Sequence, residues 1–451
     1  LAVFGVLAFL PSASASYTLR VYRDNIFPAL CLLFFAGLTG YALRAAGRWR
    51  KSLPWLLLAG AGLATAWLCR EDGVWLLPFW LAGGLVLAVL LWRRMGLKSL
   101  NAWARVVALA LPGLVLVGSL QAVAAKNERE YGVRVVSDFS TGSFAQAIGA
   151  MVRVKESETV PLVSVPAEVR ELLYENVEAL RPLRYWLEED PQMRNDFVNP
   201  EVGDYQSGSF YWAIRRAAQY EGVYDTAQKA QAYWAGVAEE INRLCDEGVL
   251  PSEGGMRSGT TPPVRAENVL PTLAETAKSL SWCATFQDCA PYRTDITIGT
   301  AEDVAVWEAY LHTGANLAAQ AGTANAYYNP VQKAAYGLLT LLRRGYAVCL
   351  PLALLAALWV FVRRGLALLH GGRGLALLQG GGGALLWWLE LGFLGMALFR
   401  AAMMAFMEVA SFHIGTYVMY LATVHPLLAL FAAAVLLAGP SEEKEAPSWD
   451  I

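Results

Sequence analysis

The sequence predicts an α-helical polytopic membrane protein of about seven to eight spans, with a large, mainly α extracytoplasmic domain inserted between them. Three observations carry this reading. Of 451 residues, 56% are apolar and only 16% are charged, whereas soluble domains run near 25% charged. The apolar residues gather in stretches that approach the ~20 residues needed to cross ~30 Å of hydrocarbon. Between 125 and 345 no such stretch occurs, and acids, amides, prolines and turn residues return. Those roughly 220 residues suffice for one substantial core or two small ones.

In chain order, residues 1-10 read as the tail of a span. The chain opens on Leu, so a fragment or partial reading frame is expected. LAVFGVLAFLPSASAS imitates a signal peptide, but no basic region precedes it and a multi-spanning chain follows, so a truncated transmembrane helix is the preferred reading. Spans at 27-43, 54-69, 74-92 and 106-124 make the first transmembrane part, 1-124. Spans at 346-362, 384-403 and 417-438 make the last, 346-438, and 439-451 is a cytoplasmic tail.

Orientation follows from the Lys and Arg of the short loops, whose translocation is disfavoured. Arg44, Arg48, Arg50 and Lys51 mark one inner loop; Arg93, Arg94, Lys98 and Arg105 mark a second; Arg363, Arg364 and Arg373 mark a third. Alternation then places 11-26, 70-73, 125-345 and 404-416 outside and SEEKEAP inside. Arg343 and Arg344 disagree, but they adjoin a large translocated domain, where the rule is weak. The expected setting is a bacterial inner membrane with the large domain facing the periplasm.

Within 125-345 the signals are helical. Asp225-Thr226-Ala227-Gln228 resembles a capping box, after which Trp234, Val237, Ile241 and Leu244 share a face until Gly248. Thr300-Ala301-Glu302-Asp303 starts another helix, carrying Val304, Trp307 and Leu311. Phe210, Ile214 and Ala217 suggest a third, and Val169, Leu172, Leu173 and Val177 a fourth. GVRVVSDF at 132-139 is strand-like in its β-branched content, 286-298 is ambiguous, and 251-272 reads as a mobile loop.

Composition also excludes. A net charge of -2 removes the basic face that nucleic acid requires. Six cysteines in so long a chain are no disulfide scaffold. Cys31, Cys69 and Cys349 fall in spans and read as core residues. Cys283 and Cys289 are close enough to bridge, with Cys245 a competing partner, and the pairing stays open. A zinc site is disfavoured, because these cysteines have no neighbouring histidine. No Walker loop, dinucleotide fingerprint, HExxH or GxSxG stands in a suitable context, and GGGG at 380-383 follows no strand.

The chemistry-bearing candidates are polar clusters at the outer membrane face. They are Arg20-Val21-Tyr22-Arg23-Asp24, Arg70-Glu71-Asp72-Gly73, and Arg400 with Glu408 and His413. Ionised groups at that depth cost several kcal/mol unless paired or hydrated, which makes them functional candidates. Guanidinium groups could fork a phosphate while a carboxylate acts as base. The plainer alternative is a set of interfacial ion pairs closing loops. Glu390 faces a polar cavity or a partner helix, Trp387 and Trp388 read as an interfacial belt, His425-Pro426 as a kink, and His312 as a surface or satisfied core histidine.

RVYRD before a span, the CREDGVW turn, and FRAAMMAFMEVASFHIGTYVMYLATVHPLLALF resemble the later portion of bacterial GT-C superfamily glycosyltransferases. The resemblance covers roughly 1-124 and 340-438. It implies transfer of a sugar from a polyprenyl-phosphate carrier to an acceptor at the outer membrane face. By that analogy Arg20, Arg23 and Arg70, with Asp24 beside them, meet the carrier phosphate, and Glu71 or Asp72 supports the site. The family's usual catalytic carboxylate would precede Leu1. A divalent metal could help the phosphate leave, although no ligand spacing for one is visible. The outer domain would cover the cavity and select the acceptor. The competing expectation is a non-enzymatic, membrane-anchored envelope protein that binds or scaffolds; a transporter comes third, since no paired interrupted spans occur.

Overall fold

A computed structural model describes residues 2–15, 23–45, 47, 49–155, 160–255, 262, 264–291, 300–311, 330–370, 382–413 and 417–438. Among them, six helices are long and apolar enough to cross a membrane: Asn25–Ala42, Arg50–Cys69, Glu71–Met95, Leu100–Tyr131, Lys333–Leu369 and Gly383–Ala410. The chain is an α-helical multi-pass membrane protein.

The apolar elements begin with α1 (Ala2–Ala8), α2 (Arg23–Ala42), α3 (Trp49–Cys69), α4 (Leu77–Met95), α5 (Leu100–Ala108) and α6 (Leu111–Tyr131). Proline stands in the first turn of α4 and of α6, where its missing N–H would have had no helical partner. Gly132 ends α6 in the left-handed region (φ 71°), open to glycine at little cost. The chain turns away there, and 132-139 forms no strand. Its β-branched residues lie in a short connection, and Asp138 starts the single helical turn α7 (Asp138–Thr141).

A polar lobe follows, built from α8 (Ser143–Arg153), α9 (Ala167–Asn176), α10 (Pro191–Phe197), α11 (Ser207–Tyr220) and α12 (Ala227–Asp246). Three of the four helices read from hydrophobic spacing fall here, as α9, α11 and α12. The N-cap of α12 is Thr226, whose Oγ1 accepts from Lys229 N at 3.1 Å. The cap therefore sits one residue later than a box pairing Asp225 with Gln228 would require. One two-residue antiparallel ladder, β1 (Val198–Asn199) with β2 (Asp204–Tyr205), pairs Val198 with Tyr205. The lobe's core gathers buried side chains from Phe144 to Leu250, with Trp234, Phe210 and Tyr205 among the largest.

After the lobe, α13 (Val269–Thr285) begins inside the stretch read as loop, following a turn at Ala266–Asn268; 256–261 and 263 lie outside the described residues. Cys283 in its last turn, with Phe286 and Cys289 just beyond, joins the apolar core rather than the lobe. Cys245 lies in the lobe core, and all six thiols are free. Then come α14 (Ala301–Leu311), α15 (Pro330–His370), α16 (Gly382–Ala410), α17 (Tyr417–Leu421) and α18 (Val424–Leu437). At α14 Thr300 and Asp303 cap reciprocally, Asp303 N donating to Thr300 Oγ1 at 3.2 Å and Thr300 N to Asp303 Oδ2 at 3.1 Å.

The last expected span, 417-438, is two helices. Pro426 explains the break, because within a continuous helix its ring would meet the carbonyl of Ala422; in the first turn of α18 it is tolerated. With 14 residues, α18 is about 21 Å long.

Candidate functional site

The site is organised by the connection between α3 and α4. Arg70 leaves α3 in extended conformation, and a tight turn runs from Glu71 to Leu76. Gly73 makes the turn possible, because a Cβ there would lie 2.7 Å from the Trp67 Cα. Two carboxylates thus emerge side by side with opposite surroundings.

Asp72 is enclosed. The Arg70 guanidinium forks it, Nε donating to Oδ1 at 3.0 Å and Nη2 to Oδ2 at 3.1 Å. Arg400, brought in by α16, places Nη1 2.6 Å from Oδ2. That second contact is an ion pair rather than an aligned hydrogen bond, since this nitrogen lacks hydrogen-bond geometry to any partner. Arg400 is fully buried and also donates from Nε and Nη2 to the Tyr420 carbonyl at 3.2 and 3.0 Å. Aromatic faces cover both cations: Arg70 lies 5.1 Å from Phe27 and 5.0 Å from Tyr420, and Arg400 lies 5.4 Å from Trp75. Two guanidinium groups therefore share this carboxylate in a water-poor setting where such fields carry far.

Glu71 is open. Its carboxylate accepts from Arg23 Nη1 at 3.2 and 3.0 Å, and the two side chains are 38% and 40% exposed. Both line a cavity of about 690 Å³. Its floor includes Met407, Ser411 and Tyr420 of the apolar region; its roof is the polar lobe, with Asp138, Trp212 and Arg215. Asp138 is fully engaged, accepting from Arg215 at 2.9 Å, the Tyr224 hydroxyl at 3.1 Å and Gln231 at 2.6 Å. Of these two cavity carboxylates, Glu71 is the one in position to take a proton from a bound molecule.

The structure thus brings Arg23, Arg70, Glu71, Asp72 and Arg400 together. It separates Glu408 and His413 from Arg400 and pairs them with each other, Nδ1 to Oε1 at 3.1 Å. Asp24 stands on the first turn of α2; Arg20 and His312 lie outside the described residues. Glu390 is buried on α16 and accepts from Arg364 at 3.1 Å, while Trp387 stacks on Phe361 at 4.9 Å. No three His, Cys, Asp or Glu side chains converge as metal ligands among the described residues.

Sequence reasoning missed the roof residues Asp138, Trp212 and Arg215. Reading 132-139 as a strand hid Asp138. The available signal was the run Trp212, Arg215, Arg216 and Gln219 on α11, a polar and aromatic stripe opposite the buried Phe210, Ile214 and Ala217. No family model, curated protein or solved structure matches the chain.

Proposed function

We propose that the protein transfers a sugar from a polyprenyl-phosphate carrier to an acceptor at the outer face of a bacterial inner membrane, in the cavity between Glu71 and the polar lobe. The observation that carries this reading is the cavity itself: it joins an accessible carboxylate and an arginine at the end of apolar helices to a lobe that can receive a second substrate. In this reaction the acceptor hydroxyl attacks the anomeric carbon. The bond to phosphate oxygen breaks, polyprenyl phosphate leaves with the electron pair, and Glu71 takes the hydroxyl proton.

Arg23 connects the two halves of that chemistry. An exposed ion pair contributes only ~0–1 kcal/mol, so an arriving phosphate displaces Glu71 from Arg23 at little cost and frees the base as the donor binds. The resemblance assigns Arg20 and Asp24, neighbours of Arg23 in the sequence, to the same phosphate-binding role. Arg70 and Arg400 act from behind Asp72: they hold the turn and supply a positive field toward developing phosphate charge.

The test is donor consumption by purified full-length protein, using a panel of polyprenyl-phosphate sugars. Glu71→Gln should lower turnover at least ~100-fold, as expected for loss of a general base, with an unchanged melting temperature. Arg23→Lys should also lose turnover, because an ammonium cannot fork a phosphate. No donor turnover by the wild type, or unchanged turnover in both variants, overturns the assignment in favour of a membrane-anchored binding or scaffolding protein.

A further inference from the structure

The cavity at Glu71 has a neighbour on the lobe. A second cavity, of about 500 Å³, is lined by Phe197, Trp212, Arg215, Arg216, Gln219 and Tyr224. Phe197, Trp212 and Arg215 border both cavities, so the two adjoin at these side chains, and the pair of cavities makes the cleft along α11. The stripe that lines it is helical in spacing: Trp212, Arg215, Arg216 and Gln219 stand at i, i+3, i+4 and i+7 and share a face.

Three features of this cleft define its ligand. The Trp212 indole is 56% exposed, whereas Trp234 and Phe144 of the same lobe are fully buried. It is held as a platform by Phe139, which stacks on it at 5.4 Å and 23°. A flat aromatic surface of this kind fits the face of a pyranose ring, where axial C–H groups form an apolar patch. The planar side chains beside it, Arg215, Arg216 and Gln219, suit the hydroxyls on the ring edge.

Charge supplies the third feature. Arg215 is neutralised by Asp138 at 2.9 Å, and Arg216 by Asp196 at 2.9 Å while lying 4.6 Å from the Phe197 ring. The Arg215–Asp138 pair is only 25% and 20% exposed, and Tyr224 and Gln231 also hold Asp138, so an anion would not displace it as cheaply as it would the exposed Arg23–Glu71 pair. That favours an uncharged guest beside Trp212. Both volumes lie within the ~300–1,000 Å³ of small-ligand pockets, and together they exceed the space one sugar needs.

We propose that this cleft is the acceptor subsite and that the acceptor is an uncharged oligosaccharide, lying along α11 with one sugar on Trp212 and its reacting hydroxyl toward Glu71. The role as acceptor rests on the transferase reading; the binding of a neutral glycan does not.

The experiment is a calorimetric titration of the full-length protein with short neutral oligomannosides, oligoglucosides and oligoarabinosides, and with an oligouronide as the anionic probe. At least one neutral series should bind saturably and more tightly than the oligouronide. Trp212→Ala should weaken that binding about tenfold, the range of an aromatic contact with its buried area, and Trp212→Phe should restore most of it. Tyr185→Ala, an equally exposed lobe aromatic outside the cleft, should bind as the wild type does. If no neutral series binds, if the oligouronide binds best, or if Trp212→Ala binds unchanged, the proposal is overturned. Neutral glycan binding without donor turnover would keep the cleft and remove the transferase; donor turnover without glycan binding would do the reverse.

Discussion

Each of the two cores holds a buried guanidinium cluster, and the two have inverse stoichiometry. In the polar lobe one cation meets two anions. Arg170 forks Glu188 with Nε at 2.7 Å and Nη2 at 3.0 Å, while its Nη1 reaches Asp204 at 2.8 Å and the Val165 carbonyl at 2.9 Å. Tyr174 adds a hydroxyl to Glu188 at 3.0 Å. These carboxylates and bonds hold the Arg170 charge more firmly than in water, even though burial opposes it. At the membrane face one anion, Asp72, meets two cations, Arg70 and Arg400.

The difference lies in where each cluster sits. The lobe cluster satisfies its central charge with carboxylates that reach toward the lobe surface. In the membrane-face cluster two guanidinium groups gather on one carboxylate among aromatic rings, beside a cavity. Charges in that position are costly unless each is matched, so the cluster depends on Asp72.

The largest expected effect comes from breaking the lobe cluster. Arg170→Met leaves Glu188 and Asp204 without their common cation, and removing one member of a buried pair costs about 3–5 kcal/mol. The lobe should unfold at a clearly lower temperature, read as earlier proteolysis within 143–250 during thermal challenge of the full-length protein. An unshifted transition would mean that the lobe cluster is not structural and would dissolve the contrast.

The membrane-face cluster should respond asymmetrically. Asp72→Asn removes the carboxylate that Arg70 and Arg400 share and should cost about 3 kcal/mol, the low end for a broken buried pair, because Arg400 keeps the Tyr420 carbonyl. Arg70→Met should cost less, since Asp72 keeps Arg400 at 2.6 Å. Melting temperatures in detergent decide the order. If Arg70→Met were the more damaging, Arg70 rather than Asp72 would be the pivot of the cluster.

Long-range pairing is what separates the legible parts of this molecule from the illegible ones. Apolar length announced the spanning helices, and 3.6-residue spacing announced α9, α11 and α12, because both are local properties of the chain. The bidentate Arg70–Asp72 fork spans two residues, and its cluster was visible as CREDG. That Arg400 would complete it was not, since 328 positions separate it from Asp72 in the numbering and nothing local encodes the meeting. Asp138 was lost for a related reason: three valines outweighed a glycine whose left-handed cap ends α6 before a strand can start. Glu71 and Asp72 were indistinguishable in sequence, and it is the Arg70 fork together with the arrival of Arg400 that encloses one and leaves the other open.

The two regions also touch, and the contact offers the mildest test. Gly208, in the first turn of α11, packs against Phe412 beyond the end of α16, where an added Cβ would lie 2.4 Å from the ring. Phe412 lines the cavity next to Ser411 and Met407, so this wedge fixes the lobe above the carboxylate-bearing turn. Gly208→Ala should cost about 1–3 kcal/mol, as overpacking does, unless the lobe shifts to relieve it. A shift would leave the melting temperature near wild type and lower donor turnover through misplacement of the roof. Phe412→Ala in the same chain makes room for the methyl group, so the double variant should recover whichever property the single one lost. If Gly208→Ala changes neither stability nor turnover, the lobe and the helices are not held in register by this contact, and the cavity between them must be fixed by other joints.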